Sequence, residues 1–174
     1  MHVALIRGIN VGKAKRVAMA DLRALLETLG YGEPRTLLNS GNVVFDAGRE
    51  AARKAAARIE TAMTTKLGVS ARVTVLTAAD FSTVVEENPL SRVADNPSRL
   101  LVAFLSEPKD RVRLQPLVRQ DWKPEALGLG SRAAYLWCPA GMIDSRLAEA
   151  VGRVLGEATT TRNWGTVTKI QALL

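Results

Sequence analysis

Histidine and cysteine each occur once in this 174-residue chain, at His2 and Cys138. A Ser-His-Asp or Cys-His triad would have to be built on His2, at the end of the chain. Zinc sites take several such ligands, and two residues separated by most of the sequence do not make one. One cysteine also excludes an internal disulfide and fits a reducing compartment. Cys138 stands beside Trp137 in a strand pattern and reads as an inert core thiol. No apolar run approaches the roughly 20 residues of a bilayer crossing. The first residues lack the charged start, apolar length and small-residue cleavage site of a secretory signal. The expectation is a cytoplasmic protein with no membrane partner, no metal, no cofactor and no recognisable catalytic constellation.

What is present is apolar residue and positive charge. At 47% hydrophobic the chain has ample material for one ordinary domain or two small ones. Lys and Arg number 24 against 17 Asp and Glu, a net charge of +7 that attracts anions. The basic residues are spread through both halves, without the one-faced concentration of a dedicated nucleic-acid binder. Their densest spot is Lys13, Lys15 and Arg16.

The order of elements is written twice. In the first half, a strand at 2–6 precedes a helix over about 19–29, where Met19, Leu22, Leu25 or Leu26, and Leu29 recur at helical spacing before Gly30. Short strands at 35–38 and 43–46 join through Ser40 and Gly41. A helix over 49–67 carries the stripe Ala52, Ala56, Ile59, Met63 and Leu67. A strand at 71–76 and a short helix at 79–87 follow. The second half repeats this: strands at 100–105, 126–127, 133–138 and 159–162, helices from Lys109 and over 145–155, and a last helix to Leu174. Asp144 or Ser145 is the expected cap of the 145–155 helix. Pro116 lies inside the helix that starts at Lys109, at a cost of about 3 kcal/mol, so that helix should be short or broken in two.

Each half is β-α-β-β-α-β plus a trailing helix. The expected fold is therefore α+β, a tandem pair of ferredoxin-like (split βαβ) units, each followed by a short helix. The expected domains are 1–90 and 98–174, joined where Asn88-Pro89 and Asn96-Pro97 disfavour helix. The leading strands are apolar on both faces, so both faces should be covered. Because the chain carries two sheets, a monomer is favoured, with a dimer as the alternative.

Three polar motifs interrupt this apolar frame. Arg7-Gly8-Ile9-Asn10-Val11-Gly12-Lys13 follows the first strand but is no Walker loop, with three residues between its glycines and Ala14 in place of the magnesium-binding hydroxyl. It can still offer backbone N–H groups and Lys13 to an anion. Its other reading is a glycine-bounded turn. Asn39-Ser40-Gly41-Asn42 is first a turn. In split βαβ topology, however, it shares a sheet edge with the end of the first strand, so Arg7 and Asn10 should meet Asn39 and Asn42. A structural network tying down hairpin carbonyls is the alternative. Near the end, Thr161-Arg162-Asn163-Trp164 supplies Arg162 and Asn163, which have no obvious core task.

These motifs, with Ser40-Gly41-Asn42-Val43-Val44-Phe45 and Asn88-Pro89, resemble in order those of the bacterial Domain of Unknown Function 1697 family. Lys13 stands where that family commonly has a further glycine. The resemblance implies a cytosolic α+β protein with ferredoxin-like halves and no assigned activity.

The expected function is binding of a small anionic or nucleotide-like ligand. Its expected site is Arg7, Gly8, Asn10, Gly12, Lys13, Asn39, Ser40, Asn42, Arg162 and Asn163. The alternatives are nucleic-acid binding, where the usual pair of stacking aromatics is missing, and a structural or self-associating protein without a ligand.

Overall fold

The computed structural model describes residues 1–12 and 15–174. It is an α+β protein with two four-stranded antiparallel sheets and, among the described residues, six α-helices. The chain divides into two compact units, Met1–Phe81 with Ala172–Leu174, and Ser82–Gln171.

In the first unit, β1 (His2–Ile6) is followed by α1 (Met19–Thr28), β2 (Gly32–Leu37), β3 (Asn42–Asp46), α2 (Ala52–Leu67) and β4 (Val73–Thr77). The sheet order is β2-β3-β1-β4. Alternate residues Ala4, Ile6, Val43, Phe45, Val73 and Val75 face the helices, where they meet Leu22, Leu25 and Leu26 of α1 and Ile59 and Met63 of α2. Each such large side chain contributes about 1.5–3 kcal/mol through burial. The stripe expected on α2 is turned slightly. Ala55 and Ala62 are buried with Ile59 and Met63, whereas Ala52, Ala56 and Leu67 are only partly covered. Small alanines allow this, because periodicity in a run rich in alanine barely distinguishes neighbouring faces. Gly68, at φ +65°, ends the helix in the left-handed conformation.

The second unit repeats the order. It holds β5 (Leu100–Leu105), a 3-10 segment Pro108–Leu114, α4 (Gln115–Val118), β6 (Ala126–Leu129), β7 (Ala133–Trp137), α5 (Arg146–Leu155), β8 (Thr159–Asn163) and α6 (Trp164–Gln171). α3 (Ala78–Glu86) crosses from one unit to the other. The sheet order is β6-β7-β5-β8. The helix expected around Pro116 is broken into the 3-10 segment and a single α-turn. Pro116 stands in the first turn of α4, where no backbone donor is needed. Ser145 caps α5, its hydroxyl accepting from the Ala148 N–H at 2.8 Å.

Leu101, Ala103, Leu105, Ala134 and Leu136 face α5 and the 3-10 segment, meeting Leu114, Leu147, Val151 and Leu155. By alternation Tyr135 points to the opposite face, where its hydroxyl donates to the Val84 carbonyl of α3 at 2.5 Å. A Cβ on Gly128 would collide with Pro89. Val84, Glu87 and Pro89 all lean on this sheet, so the loop at 88–97 belongs to the second unit and the division falls at Phe81 and Ser82. α6 packs on β5 and β8 and ends at Gln171. The last residues return to the first unit, where Arg35 Nη2 donates to the Leu173 carbonyl at 2.8 Å. Every residue of β1 and β5 is buried, Val3, Leu5, Leu101 and Ala103 among them.

Candidate functional site

At the end of β1 the ladder continues past the strand. Ile6 N–H donates to the Gly41 carbonyl and Arg7 N–H to the Arg72 carbonyl, both at 2.8 Å. Ile9 then turns inward and is buried. Gly41, at φ +75°, lies under it, and a Cβ there would sit 2.8 Å from Ile9 Cδ1 and 2.9 Å from Ile6 Cβ. The glycine is demanded twice, by its backbone conformation and by the close approach. Gly8 (φ +68°) and Gly12 (φ +63°) have open space around them, so only their dihedrals require glycine.

Asn10 is the pin of the loop. At φ +56° it holds a left-handed conformation that asparagine tolerates better than most residues. Its Nδ2 donates to the Val17 and Asn39 carbonyls, each at 2.8 Å, and its Oδ1 accepts the Val17 N–H at 2.9 Å. Its own N–H reaches the Lys15 carbonyl at 3.1 Å. One side chain thus closes the loop on itself and fastens it to the β2–β3 hairpin. Asn42, buried and in register with Leu5 of β1 and Leu37 of β2, works inside the hairpin. Its Nδ2 donates to the Leu37 carbonyl at 2.9 Å and to Ser40 Oγ at 3.0 Å.

The topology therefore brings Asn10 to Asn39 directly and sets Arg7, Ser40 and Asn42 at the same corner. Between loop and hairpin lies a groove of 340 Å³ lined by Asn10, Arg16, Val17, Ala18, Met19 and Asn39. Arg7, Gly8, Gly12, Ser40 and Asn42 are not among its described lining, and Lys13 lies outside the described residues. Arg16, Val17, Ala18 and Met19 were not read as site residues from the sequence. One signal was available: the α1 pattern begins at Met19 with no Ser, Thr, Asp or Asn before it. Ala18 is the N-cap residue and supplies no side-chain hydrogen bond. Among the described residues no side chain caps the first N–H groups of α1, which can therefore meet water or a ligand.

Arg162 and Asn163 belong to the second unit. Arg162 is in register with Val102 of β5, and its Nη1 donates to the Thr161 carbonyl at 2.9 Å. Burial pushes its guanidinium down to about 10, which leaves it charged at neutral pH. Asn163 Oδ1 accepts the Thr166 N–H at 2.8 Å and so caps α6. Cys138 is buried, takes a hydrogen bond from Ser145 Oγ at 3.2 Å, and burial pushes its thiol up, which keeps it protonated and unreactive.

Among the described residues no group of three or more His, Cys, Asp or Glu is placed to hold a metal, and no helix is long and apolar enough to cross a membrane.

No curated protein matches the chain. Its fold is similar to a solved structure, the conserved bacterial protein SP0830 from Streptococcus pneumoniae, with a TM-score of 0.80 at 24% identity over 99% of this chain and 97% of that one. The family model described as "Protein of unknown function (DUF1697)" matches residues 1–135, the stretch that holds the Arg7–Gly12 loop and the Asn39–Asn42 hairpin, and the chain belongs to that family.

Proposed function

We propose that the protein binds a small anionic or nucleotide-like ligand in the groove between the loop after β1, the start of α1 and the β2–β3 hairpin. One observation carries this reading. The exposed Arg16 and the uncapped N-terminus of α1 line a single groove. The partial positive charge of a helix start and a guanidinium attract the same chemical group, a phosphate or carboxylate. Asp21, in the first turn of α1, weakens this attraction without cancelling it, because Arg16 adds its full positive charge to the helix start.

Asn10 and Asn42 act in this reading as scaffold: their amides hold the loop and hairpin, and the groove exists because they do. The net charge of +7 supports the same ligand class. Burial along the whole of β1 counts against a nucleic acid stacked on the sheet, since RNA-recognition modules use an open face of their central strands. We further read each unit as ferredoxin-like, because the orders β2-β3-β1-β4 and β6-β7-β5-β8 are those of a split βαβ unit, and the protein as a cytoplasmic, bacterial monomer.

Thermal melts with inorganic phosphate, AMP and ATP test the reading. At least one should raise the melting temperature as concentration grows, by mass action, and Arg16→Met should abolish the rise without lowering the ligand-free melting point. Absence of any rise with all three would overturn it.

A further inference from the structure

The second unit has a cavity at the corner that corresponds in element order to the first groove, between the segment after its leading strand and its central hairpin. It is a shallow depression open to solvent, of 480 Å³, lined by Glu87, Arg111, Leu129, Gly130 and Ser131. Its charge pattern differs from that of the first groove, which no acidic side chain lines among the described residues.

Glu87 is held. Its Oε2 accepts the Ser131 N–H at 2.6 Å and the Ser131 hydroxyl at 2.9 Å. The bond is made possible by Gly130, where a Cβ would come 2.6 Å from that oxygen and 3.1 Å from the Tyr135 ring. Two hydrogen bonds to one oxygen fix the carboxylate on the hairpin and leave Oε1 without either of them. Arg111, exposed on the 3-10 segment, lines the same cavity and, among the described residues, is not ion-paired with Glu87. Burial first, and the Glu87 charge second, raise the Tyr135 phenol above its ordinary range.

Both side chains are exposed, and among the described residues neither forms an ion pair. A simple anion meets repulsion from Glu87, and a simple cation meets repulsion from Arg111. A molecule with both signs complements both and adds no net charge. Leu129 offers apolar surface between them. We propose that this cavity binds a small zwitterion, a free amino acid whose ammonium pairs with Glu87 and whose carboxylate pairs with Arg111. The inference does not depend on the anion groove of the first unit.

The test uses the full chain, titrated with L-leucine and 6-aminohexanoate as α- and ω-amino acids, and with pentanoate and pentylamine as the separate charged halves. The amide signals of Gly130 and Ser131 should move saturably with at least one zwitterion and not with either half, while those of Asn10 and Asn39 stay in place. Glu87→Gln can loosen the hairpin, so the decisive variant is Arg111→Met at an exposed side chain, expected to weaken binding about tenfold through loss of a charged hydrogen bond. No shift with either zwitterion, equal binding of a half, or undiminished binding to Arg111→Met would each overturn the proposal.

Discussion

Asn10 and Asn39, 29 positions apart, are joined by a hydrogen bond of 2.8 Å from the side-chain amide of the first to the carbonyl of the second. The same amide holds Val17 through both its oxygen and its nitrogen. Replacing it with alanine leaves the Val17 N–H and two carbonyls without their partner. Asn10→Ala should lower unfolding free energy by about 1–3 kcal/mol in a urea titration. Asn10→Asp should recover only the Val17 N–H bond and fall between the two. A change under about 0.5 kcal/mol would mean that the loop is held by other contacts.

Gly41 supports the same corner from beneath. Gly41→Ala forces a side chain against Ile6 and Ile9 at φ +75°, and both effects destabilise. The expected loss is about 1–3 kcal/mol, read from the shift in denaturation midpoint. Gly8→Ala, with open space and the same sign of φ, should lose less.

Leu38, at the tip of the hairpin, is the opposite case. It holds φ +57° while about half exposed, so a β-carbon in a left-handed conformation has little packing to offset it. Leu38→Asn should raise stability by about 0.5–1 kcal/mol. Calorimetry that shows a loss would reveal a packing role for the leucine.

His2 is buried against Phe45, with ring centroids 5.8 Å apart, and among the described residues its Nδ1 has no hydrogen-bond partner. Burial first, then the N-terminal ammonium, lower its pKa below the ordinary value of 6.5. The unfolded chain therefore takes up a proton more readily than the folded one. Stability is undiminished above pH 6.5 and declines as the pH falls below it towards the folded-state value. His2→Phe should flatten melting temperature against pH between about 6.5 and 5. Glu50 acts in the same direction at lower pH. Its carboxylate accepts from Tyr31 at 2.6 Å and Arg58 at 2.9 Å, and the Tyr31 bond first lowers its pKa, so its contribution is lost only below the ordinary carboxylate range. An unchanged slope between about pH 6.5 and 5 in His2→Phe would show that the histidine is not the source of that acid sensitivity.

Asn163→Ala removes the cap of α6 and should cost about 0.5–2 kcal/mol. Ligand binding in the first unit's groove should be unaffected. A loss of binding in this variant, with stability unchanged, would bring Asn163 back into the site.

Strand and helix order was legible in the residues, because side-chain periodicity reports which face of an element is buried whatever lies opposite. Leu100–Leu105 reads as a strand and is one, and Pro116 breaks its helix where its missing N–H dictates. The left-handed turn at Gly41 was equally plain, since few other residues take that backbone conformation. Sequence alone thus determined the elements, their repetition and the polar corner at the end of β1. Partnership was decided only by the tertiary structure. Asn10 and Asn42 read from the sequence either as ligand donors or as a network tying down the hairpin, and only the tertiary structure sets their amides on carbonyls of the loop and hairpin. No local pattern singles out Arg16, Glu87 or Arg111, and only the fold places them on the two grooves. The Glu87–Ser131 contact spans 44 positions, and a hydrogen bond across such a distance depends on where two separate elements come to rest, which no local pattern encodes.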